Sequence, residues 1–297
     1  MKELVVISGK GGTGKTSMVA SFAALAKNKV LADCDVDAAD LHLVLEPEVE
    51  YTENFSGGNQ AKIIAEQCIN CGMCYDACRF GAVQRKTDLD GESSVVYRID
   101  PISCDGCGVC VRVCPSGAIT FEPEINGQWF RSRTRHGPMI HAKLGVAQEN
   151  SGKLVTLVRD HARNLAQQQN LGLIIIDGSP GIGCPVIASI TGADMVLVVT
   201  EPTLSGQHDL ERVADLTSHF GTETMVCINK WDINPQITAA IEQLTQKRKI
   251  HLAGKIRYDD AVTRALIKKL SVVEYSKNGV AEDVRKLWAE IERALKK

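Results

Sequence analysis

The chain has 297 residues, of which 44% are hydrophobic, 24% charged and only 5% aromatic, a balance typical of globular proteins and unlike that of disordered or collagenous chains. Its 34 basic and 36 acidic side chains give a formal net charge of −2, whereas polyanion-binding proteins are usually more basic. No apolar run is long enough to span a membrane, and residues 4–7 lead into a glycine-rich loop rather than a secretory signal. We therefore expect a cytoplasmic protein with no nucleic-acid partner and no stable membrane insertion.

The predicted elements alternate between short β-rich runs and amphipathic stretches of helical length. The predicted strands are 3–8, 95–100, 172–177, 194–199, 224–229 and 250–256. The predicted helices are 15–27, 154–170, 186–191, 207–219, 235–248, 259–269 and 280–295. Strands that alternate with helices pair in parallel and carry helices on both faces of the sheet. We therefore predict an α/β fold with a doubly wound, mostly parallel sheet.

A glycine-rich loop follows the first predicted strand, where GKGGTGKT at 9–16 matches the pattern G-x-x-x-x-G-K-[ST]. In such a loop the backbone N–H groups converge on phosphate oxygens at the positive end of the next helix. The predicted nucleotide-binding residues are Gly9, Lys10, Gly11, Gly12, Thr13, Gly14, Lys15 and Thr16. Lys15 neutralises the β- and γ-phosphates, and the hydroxyl of Thr16 is a predicted Mg²⁺ ligand. The alternative is a glycine-rich turn that binds nothing.

The cysteines are concentrated in one part of the chain, where eight of the eleven lie between positions 68 and 114. The spacing of four of these cysteines is repeated 36 positions later: Cys68, Cys71, Cys74 and Cys78 are matched by Cys104, Cys107, Cys110 and Cys114. In a chain with no export signal, metal ligation is favoured over disulfides. We place an inserted domain at 61–124 and a nucleotide-binding domain at 1–60 and 125–297.

Each copy has the spacing C-x-x-C-x-x-C-x-x-x-C, and the second continues into Pro115, so the insertion resembles bacterial two-cluster ferredoxins. The resemblance implies one [4Fe–4S] cluster on Cys68, Cys71, Cys74 and Cys114, and another on Cys104, Cys107, Cys110 and Cys78. The first copy departs from the pattern because Arg79 stands where proline usually follows. Zinc is the competing interpretation, since C-x-x-C pairs also build structural zinc sites.

Further candidate residues follow other predicted strands. Asp177 ends an apolar run and precedes Gly-Ser-Pro-Gly, where a carboxylate can hold a Mg²⁺-bound water and the turn can sense the γ-phosphate. Asp33 and Asp35 end the second strand of the nucleotide-binding domain, which comes after the predicted helix 15–27. Asn229 and Asp232 belong to Asn-Lys-Trp-Asp, which matches the N-K-x-D sequence that recognises guanine in GTPases.

Lys10 makes the loop resemble the deviant Walker A motif of the MinD/ParA/nitrogenase-iron-protein superfamily, and the resemblance extends through DCDVD at 33–37 and IDGSPG at 176–181. It implies a homodimer that forms on ATP binding, in which Lys10 reaches the nucleotide of the other subunit. It also implies that Asp35 orients the attacking water and that Asp33 supports the Mg²⁺ shell. An asparagine in the place of Asn229 commonly meets adenine in that family, so ATP is favoured over GTP.

The whole chain resembles P-loop ATPases of the MinD superfamily that contain an inserted ferredoxin domain. The resemblance implies an ATPase, and we predict ATP-dependent electron transfer with a protein acceptor or donor. One alternative is an iron–sulfur assembly or carrier ATPase, although no cysteine follows Cys227. Another is a positioning ATPase of the MinD/ParA type with redox-sensing clusters. Cys34 and Cys227 are expected to be buried, whereas Cys184, seven residues after Asp177, is either a packing residue or an interfacial thiol.

Overall fold

The computed structural model describes residues 1–87, 95–145 and 151–296 and divides the chain into two compact units. The first unit contains Met1–Glu53, Trp129–Lys143 and the chain from Ser151 onwards, and the second contains Asn54–Gln128 and a short piece that begins at Leu144. Residues 88–94 of the predicted insertion, and 146–150 and 297 of the predicted nucleotide-binding domain, lie outside the described residues. That the insertion is a ferredoxin-like domain stays a prediction.

Most of the chain alternates between β-strands and α-helices. The strands are β1 (Lys2–Ser8), β2 (Lys29–Asp33), β3 (Glu48–Phe55), β4 (Gly58–Ile63), β5 (Val83–Thr87), β6 (Val95–Ile99), β7 (Ile119–Glu124), β8 (Gly127–Thr134), β9 (Gly137–Leu144), β10 (Leu173–Pro180), β11 (Met195–Thr200), β12 (Glu223–Asn229) and β13 (His251–Ile256). The helices are α1 (Lys15–Leu25), α2 (Leu41–Leu45), α3 (Met73–Ala77), α4 (Val109–Val113), α5 (Ser151–Gln168), α6 (Cys184–Ile190), α7 (Leu204–His219), α8 (Pro235–Arg248), α9 (Ala261–Ile267), α10 (Val272–Tyr275) and α11 (Val280–Leu295). Each predicted strand and helix corresponds to one of these elements to within about three residues at either end.

The main sheet has the strand order β13-β12-β11-β1-β10-β2-β9-β8-β3. Strand β1 lies between β10 and β11 and is parallel to both, and parallel pairing continues to β13 on one side and to β9 on the other. The predicted α/β fold with a mostly parallel sheet is confirmed. The sequence does not predict β3, β8 and β9. Strand β3 is exposed along nearly its whole length, and the buried side of β8 includes the polar residues Ser132 and Thr134, so neither strand shows an apolar alternation.

The register of the sheet brings the carboxyl ends of its central strands together. Asp177 of β10 is paired with Val6 of β1 on one side and with Asp33 of β2 on the other. In parallel sheets, ligands bind beyond the carboxyl ends of the strands. The register therefore gathers the predicted carboxylates next to the glycine-rich loop, which directly follows β1.

A large hydrophobic core lies between the sheet and the helices α1, α9, α10 and α11. The rings of Phe22 in α1 and Trp288 in α11 pack with centroids 5.2 Å apart. The apolar face of α11 is buried in this core, including Val280, Val284 and Leu287. None of the helices within residues 1–87, 95–145 and 151–296 has the length and apolarity that crossing a membrane requires.

The second unit contains two antiparallel strand pairs, β4 with β7 and β5 with β6. The short helices α3 and α4 begin after Gly72 and Gly108, which occupy equivalent positions of the repeat and have φ of +79° and +71°. A Cβ on Gly72 would lie 2.8 Å from the hydroxyl of Tyr97, so only glycine fits there. Among the described residues of this unit, one buried hydrophobic cluster contains Ala61, Cys74, Val83 and Ile119, with partly buried side chains such as Phe121 packed against it.

Candidate nucleotide site and cysteine sites

The loop between β1 and α1 turns sharply at two glycines. Gly12 and Gly14 have φ of +80° and +89°, which L side chains rarely adopt, and α1 begins at Lys15 directly afterwards. A Cβ on Gly14 would also lie 2.5 Å from Nδ2 of Asn229. The N–H groups at the start of α1 therefore adjoin a tightly curled backbone, the arrangement that binds phosphate.

Lys15 lies at the centre of a buried group of carboxylates. Its Nζ forms an ion pair with Oδ1 of Asp177 and a second, 3.3 Å long, with Oδ2 of Asp35. Asp33 is also fully buried, and its Oδ1 accepts a hydrogen bond of 3.1 Å from the backbone N–H of Asp35. The structure thus brings three of the predicted carboxylates to one predicted lysine.

Two carboxylate oxygens of this group, Oδ2 of Asp33 and Oδ2 of Asp177, are buried and have no hydrogen-bond partner in the described part of the chain. A buried oxygen without a partner costs free energy unless a ligand or water satisfies it. Carboxylate and hydroxyl oxygens are the ligands that Mg²⁺ prefers, and Thr16, the second residue of α1, supplies a half-buried hydroxyl. The residues present therefore fit a Mg²⁺ ion.

The pKa shifts of this group also fit a bound cation. Burial raises the pKa of Asp33 well above its ordinary value, and the charge of Asp177 raises it further. Burial also raises the pKa of Asp35, against the opposing effect of Lys15. Burial alone would lower the pKa of Lys15, but the carboxylates outweigh it and the net pKa is raised. The lysine therefore stays charged, and a further cation would relieve the repulsion between the carboxylates.

Lys10 contacts its own chain in this structure. Its Nζ forms a 2.7 Å ion pair with Oε1 of Glu201 and lies 3.3 Å and 3.1 Å from the hydroxyl oxygens of Thr203 and Ser205. Lys230 pairs with the other carboxylate oxygen of Glu201 at 3.3 Å. The predicted contact of Lys10 with a second subunit stays a prediction.

A pocket with about 770 Å³ of empty volume, part of it open to solvent, lies beside Gly14 and is lined by Val262, Val280 and Val284. Of the two predicted base-binding residues, Asn229 lines this pocket, and its Nδ2 donates a 2.7 Å hydrogen bond to the carbonyl oxygen of Thr13. Asp232 is not among the described residues that line it.

The carboxylate of Asp232 is engaged elsewhere, because its Oδ1 accepts a 2.7 Å hydrogen bond from the backbone N–H of Tyr258. It therefore holds the chain that follows β13. Whether Asp232 contacts a base, as the N-K-x-D pattern predicts, stays a prediction.

Sequence reasoning missed two residues of this region. Arg257 lines the pocket and forms two hydrogen bonds, 2.7 Å and 2.9 Å long, with the carboxylate of Asp283 in α11. No motif marks this pair, since its members lie far apart in the chain. Glu201 directly follows β11, and its position at the carboxyl end of a parallel strand is the signal that could have revealed it.

The second unit contains two cavities lined by cysteines. Site A is the cavity lined by Cys68, Cys71, Cys74 and Cys114, with about 310 Å³ of empty volume that includes open solvent. Site B is the cavity lined by Cys78, Cys104, Cys107 and Cys110, with about 360 Å³ on the same measure. Each site takes three cysteines from one copy of the repeat and one from the other, so the structure brings the members of each predicted set together.

Within residues 1–87, 95–145 and 151–296, no group of three or more His, Cys, Asp or Glu side chains is arranged to hold a single metal ion. The donor set of sites A and B is instead four thiols around a partly apolar cavity, with Ile63 and Ile119 at site A and Val83 and Ile99 at site B. Four thiolates are the ligand set of [4Fe–4S] clusters. The residues present fit such a group.

One thiol of each site is surrounded by backbone hydrogen bonds. Burial raises the pKa of Cys78, but bonds with the backbone of residues 80–83 lower it more, so the net pKa lies below its ordinary value. The same holds for Cys114, where the opposing bonds come from residues 116–118. A lowered pKa favours the thiolate, which is the form that binds metals.

The three remaining cysteines differ in exposure. Cys34 and Cys227 are fully buried, as expected, and burial raises the pKa of Cys227 to about 12. Cys184 is exposed at the start of α6. Its role stays open.

A parallel sheet, a glycine-rich loop between strand and helix, and a buried lysine among aspartates together define a P-loop nucleotide-binding protein. The chain belongs to the CobQ/CobB/MinD/ParA nucleotide-binding domain family, CbiA, whose sequence profile matches residues 4–272.

The chain is 33% identical to the uncharacterized protein MJ0578 of Methanocaldococcus jannaschii over 298 residues, which cover 97% of this chain and 96% of that protein. Among solved structures it resembles the cell division ATPase MinD of Pyrococcus furiosus, with a TM-score of 0.58, 15% identity and 99% of each chain covered. It also resembles the septum site-determining protein MinD of Pyrococcus horikoshii in complex with Mg-ADP, with a TM-score of 0.58, 15% identity, and coverage of 99% of this chain and 96% of that one. At this identity, the structural likeness shows the fold alone.

Proposed function

We propose that the chain is an ATPase that couples its nucleotide cycle to electron transfer through two [4Fe–4S] clusters held in the second unit. The observation that carries the proposal is the pair of cysteine cavities, each lined by four thiols from both copies of the repeat. A nucleotide site and two sets of cluster ligands in one chain fit a protein whose nucleotide state controls when electrons move.

The nucleotide half of the proposal assigns a role to each side chain around the loop. The glycines of 9–14 and the N–H groups of α1 bind the phosphates, and Lys15 leaves its aspartates to neutralise the β- and γ-phosphates. Asp177, Asp33 and Thr16 hold Mg²⁺, which neutralises phosphate charge when bound. Asp35 orients the attacking water.

The position of Asn229 beside the glycine-rich loop supports ATP as the nucleotide, because an asparagine in this place commonly meets adenine in the superfamily that the chain resembles. Asp232 accepts one backbone hydrogen bond from Tyr258 through Oδ1. Adenine, unlike guanine, has no pair of donors for that carboxylate. The solved MinD of Pyrococcus horikoshii carries Mg-ADP, which fits an adenine nucleotide in this fold.

Lys10 completes the phosphate site of the partner in an ATP-bound homodimer. To do so it must leave Glu201, Thr203 and Ser205 of its own chain. We expect Lys10→Ala to lower ATP hydrolysis by about 100-fold, as loss of a charged phosphate contact does, and to prevent ATP-dependent dimerisation. Sedimentation velocity with and without ATP measures this, and a variant that still dimerises would contradict the assigned role.

In the second unit, the cysteines of sites A and B hold the clusters, which supply one-electron transfer. The chain's own contribution is to fix the thiols and to keep water from part of each cavity. Apolar side chains are exposed close to the thiols, with Ile69 64% and Val109 43% exposed at the rims of sites A and B. Such side chains can contact a protein electron acceptor or donor.

A positioning ATPase of the MinD/ParA type with redox-sensing clusters is the second candidate, because the family and the solved MinD structures favour it. Membrane binding through the last helix is not favoured, since the apolar face of α11 is packed into the core of the first unit. The carrier alternative gains no support from the chain after Cys227, which contains no cysteine.

The test is anaerobic purification followed by metal and sulfide analysis and EPR with and without Mg-ATP. We expect about eight iron and eight sulfide per chain, and cluster spectra or potentials that change with nucleotide. Cys74→Ser should lower the iron content, whereas the matched control Cys227→Ser, at a buried cysteine of the first unit, should not. Zinc in place of iron would overturn the cluster proposal, and spectra identical in all nucleotide states would overturn the coupling.

A further inference from the structure

The two cysteine sites share a backbone but differ in the side chains beside their sulfur atoms. Residues 80–83 bond to Cys78 of site B through their backbone, as residues 116–118 bond to Cys114 of site A. The 36-residue repeat gives each position of one site a counterpart in the other. Three of the pairs that differ, with the residue at site A first, are Ile69 and Asp105, Asn70 and Gly106, and Ser116 and Phe80.

At site A, two polar side chains contact ligand sulfur atoms. The hydroxyl of Ser116 lies 3.7 Å from Sγ of Cys114, and Oδ1 of the Asn70 amide accepts from the thiol of Cys68 at 3.5 Å. A metal-bound thiolate can only accept hydrogen bonds. The serine hydroxyl donates to it directly, and the amide can turn to present its NH₂ group.

Site B has neither donor at the matching positions. Gly106 has no side chain, and Phe80 has no group that can donate to sulfur; both line the cavity. Asp105 is one of the residues that line the same cavity. The nearby guanidinium of Arg79 is placed over the Phe80 ring, 4.8 Å from its centroid, and Arg79 is not among the described residues that line site B.

The three differences all favour a higher reduction potential at site A than at site B. A hydrogen bond donated to a ligand sulfur stabilises the more negative, reduced state, whereas a neighbouring carboxylate stabilises the oxidised state. Site A has the two donors, and site B has the carboxylate. Because both sites have the same kind of backbone hydrogen bonds, these bonds contribute little to the difference between the two reduction potentials.

Resting on the iron–sulfur function proposed above, we propose that Ser116, Asn70 and Asp105 hold the two sites at different reduction potentials, with site A higher. If both sites are loaded and the unit receives a single electron, that electron would pass from site B to site A. Site A is therefore where the electron rests, and site B is the stronger reductant.

The test uses the full-length chain loaded with iron and sulfide, reduced in steps with dithionite at controlled potential and followed by EPR. We expect two separate midpoint potentials. Ser116→Ala should lower only the higher one, changing the electron partition between the sites by about tenfold, or about 59 mV for one electron. Ser116→Thr, which keeps the hydroxyl, should restore the original value.

Two further variants exchange residues between the copies. Phe80→Ser should raise the lower midpoint and leave the higher one in place, and Asn70→Gly should act in the same direction as Ser116→Ala. Asn70 has a φ of +56°, which glycine adopts freely, so this change does not strain the backbone. Iron and sulfide are measured in every variant, so that any variant without its clusters is identified. The midpoint potentials of the other variants then test the proposal.

Coincident midpoints in the loaded, unaltered chain would overturn the proposal, as would Ser116→Ala acting on the lower midpoint. Either result would leave the iron–sulfur function standing. An unaltered chain without iron would instead overturn that function itself.

Discussion

The nucleotide site provides its own countercharge, whereas the cysteine sites do not. Lys15 already neutralises part of the charge of Asp35 and Asp177 within a sheet whose core is large and apolar. Among the described residues of the cysteine unit, one buried cluster has four members, among them Cys74, a predicted cluster ligand. Small units with little core usually depend on metal for their stability. On the proposed function, we therefore expect the first unit to fold without its ligand and the second to need one.

The largest expected effect is on the second unit when iron is removed. On the proposed function, a chain whose iron is removed by a chelator should lose amide protection throughout residues 54–87 and 95–128, because the thiols then lose the group that joins them. Peptides from β1, β10 and β11 should exchange as slowly as before. Hydrogen exchange with mass spectrometry measures both, and equal protection of residues 54–87 and 95–128 with and without iron would break the comparison.

The next effect concerns the countercharge of the nucleotide site. Lys15→Ala leaves buried carboxylates unpaired, so we expect unfolding free energy to fall by about 3–5 kcal/mol and nucleotide affinity by about 100-fold or more. Denaturant unfolding and a fluorescent nucleotide measure the two quantities. Lys2→Ala is the matched control, since Lys2 is half-exposed and pairs with Asp194 at 3.3 Å; its effect should be below about 1 kcal/mol. An effect of Lys15→Ala as small as that of the control would show that the carboxylates are not held by this lysine.

Substitutions of Asn229 and Asp232 test two different roles. The first tests how the glycine-rich loop is supported, and the second tests how the base is recognised. Asn229→Ala removes the hydrogen bond to Thr13, and we expect nucleotide affinity to fall by about tenfold, the equivalent of one buried hydrogen bond. On the proposed recognition of adenine, Asp232→Asn should not change the ratio of ATP to GTP affinity, because adenine has no pair of donors for this carboxylate. Competition between the two nucleotides measures the preference, and a loss of discrimination in Asp232→Asn would restore the guanine interpretation.

The smallest effect tests whether the first unit is stabilised by its own ion pairs. Burial raises the pKa of Glu274, but bonds from Arg135 and Ser271 outweigh it and lower the pKa from 4.5 to about 2. Glu274 therefore stabilises the fold at pH values above its unfolded pKa, and this contribution is lost as the pH falls from about 4.5 towards 2.

Glu274→Gln should accordingly lower the unfolding free energy at pH 7 by about 1–2 kcal/mol, after allowance for solvent screening. The difference between the variant and the unaltered chain should vanish near pH 2. Denaturant unfolding at a series of pH values measures this, and a difference that is independent of pH would contradict the assigned cause.

The parts of the molecule that sequence predicts are those whose chemistry is local. The loop at 9–16 carries glycines and Lys15 within eight residues, and the apolar run before Asp177 identifies a buried strand. Strand β3 escapes prediction because all but its last residue is exposed, so no burial pattern marks it. The partners of Lys10 and Asp232 also escape, since Glu201 and Tyr258 are adjacent only in the folded chain.

Each site takes thiols from both copies of the repeat, and this determines the order in which the two sets of cysteines become complete during synthesis. A chain that ends before Cys104 contains three thiols of site A and one of site B, and therefore a complete set for neither. During synthesis, no finished ligand set exists until Cys110 has emerged from the ribosome, and then the one at site B is completed first. Only the emergence of Cys114 completes site A. Replacing one copy of the repeat would therefore alter both sites at once.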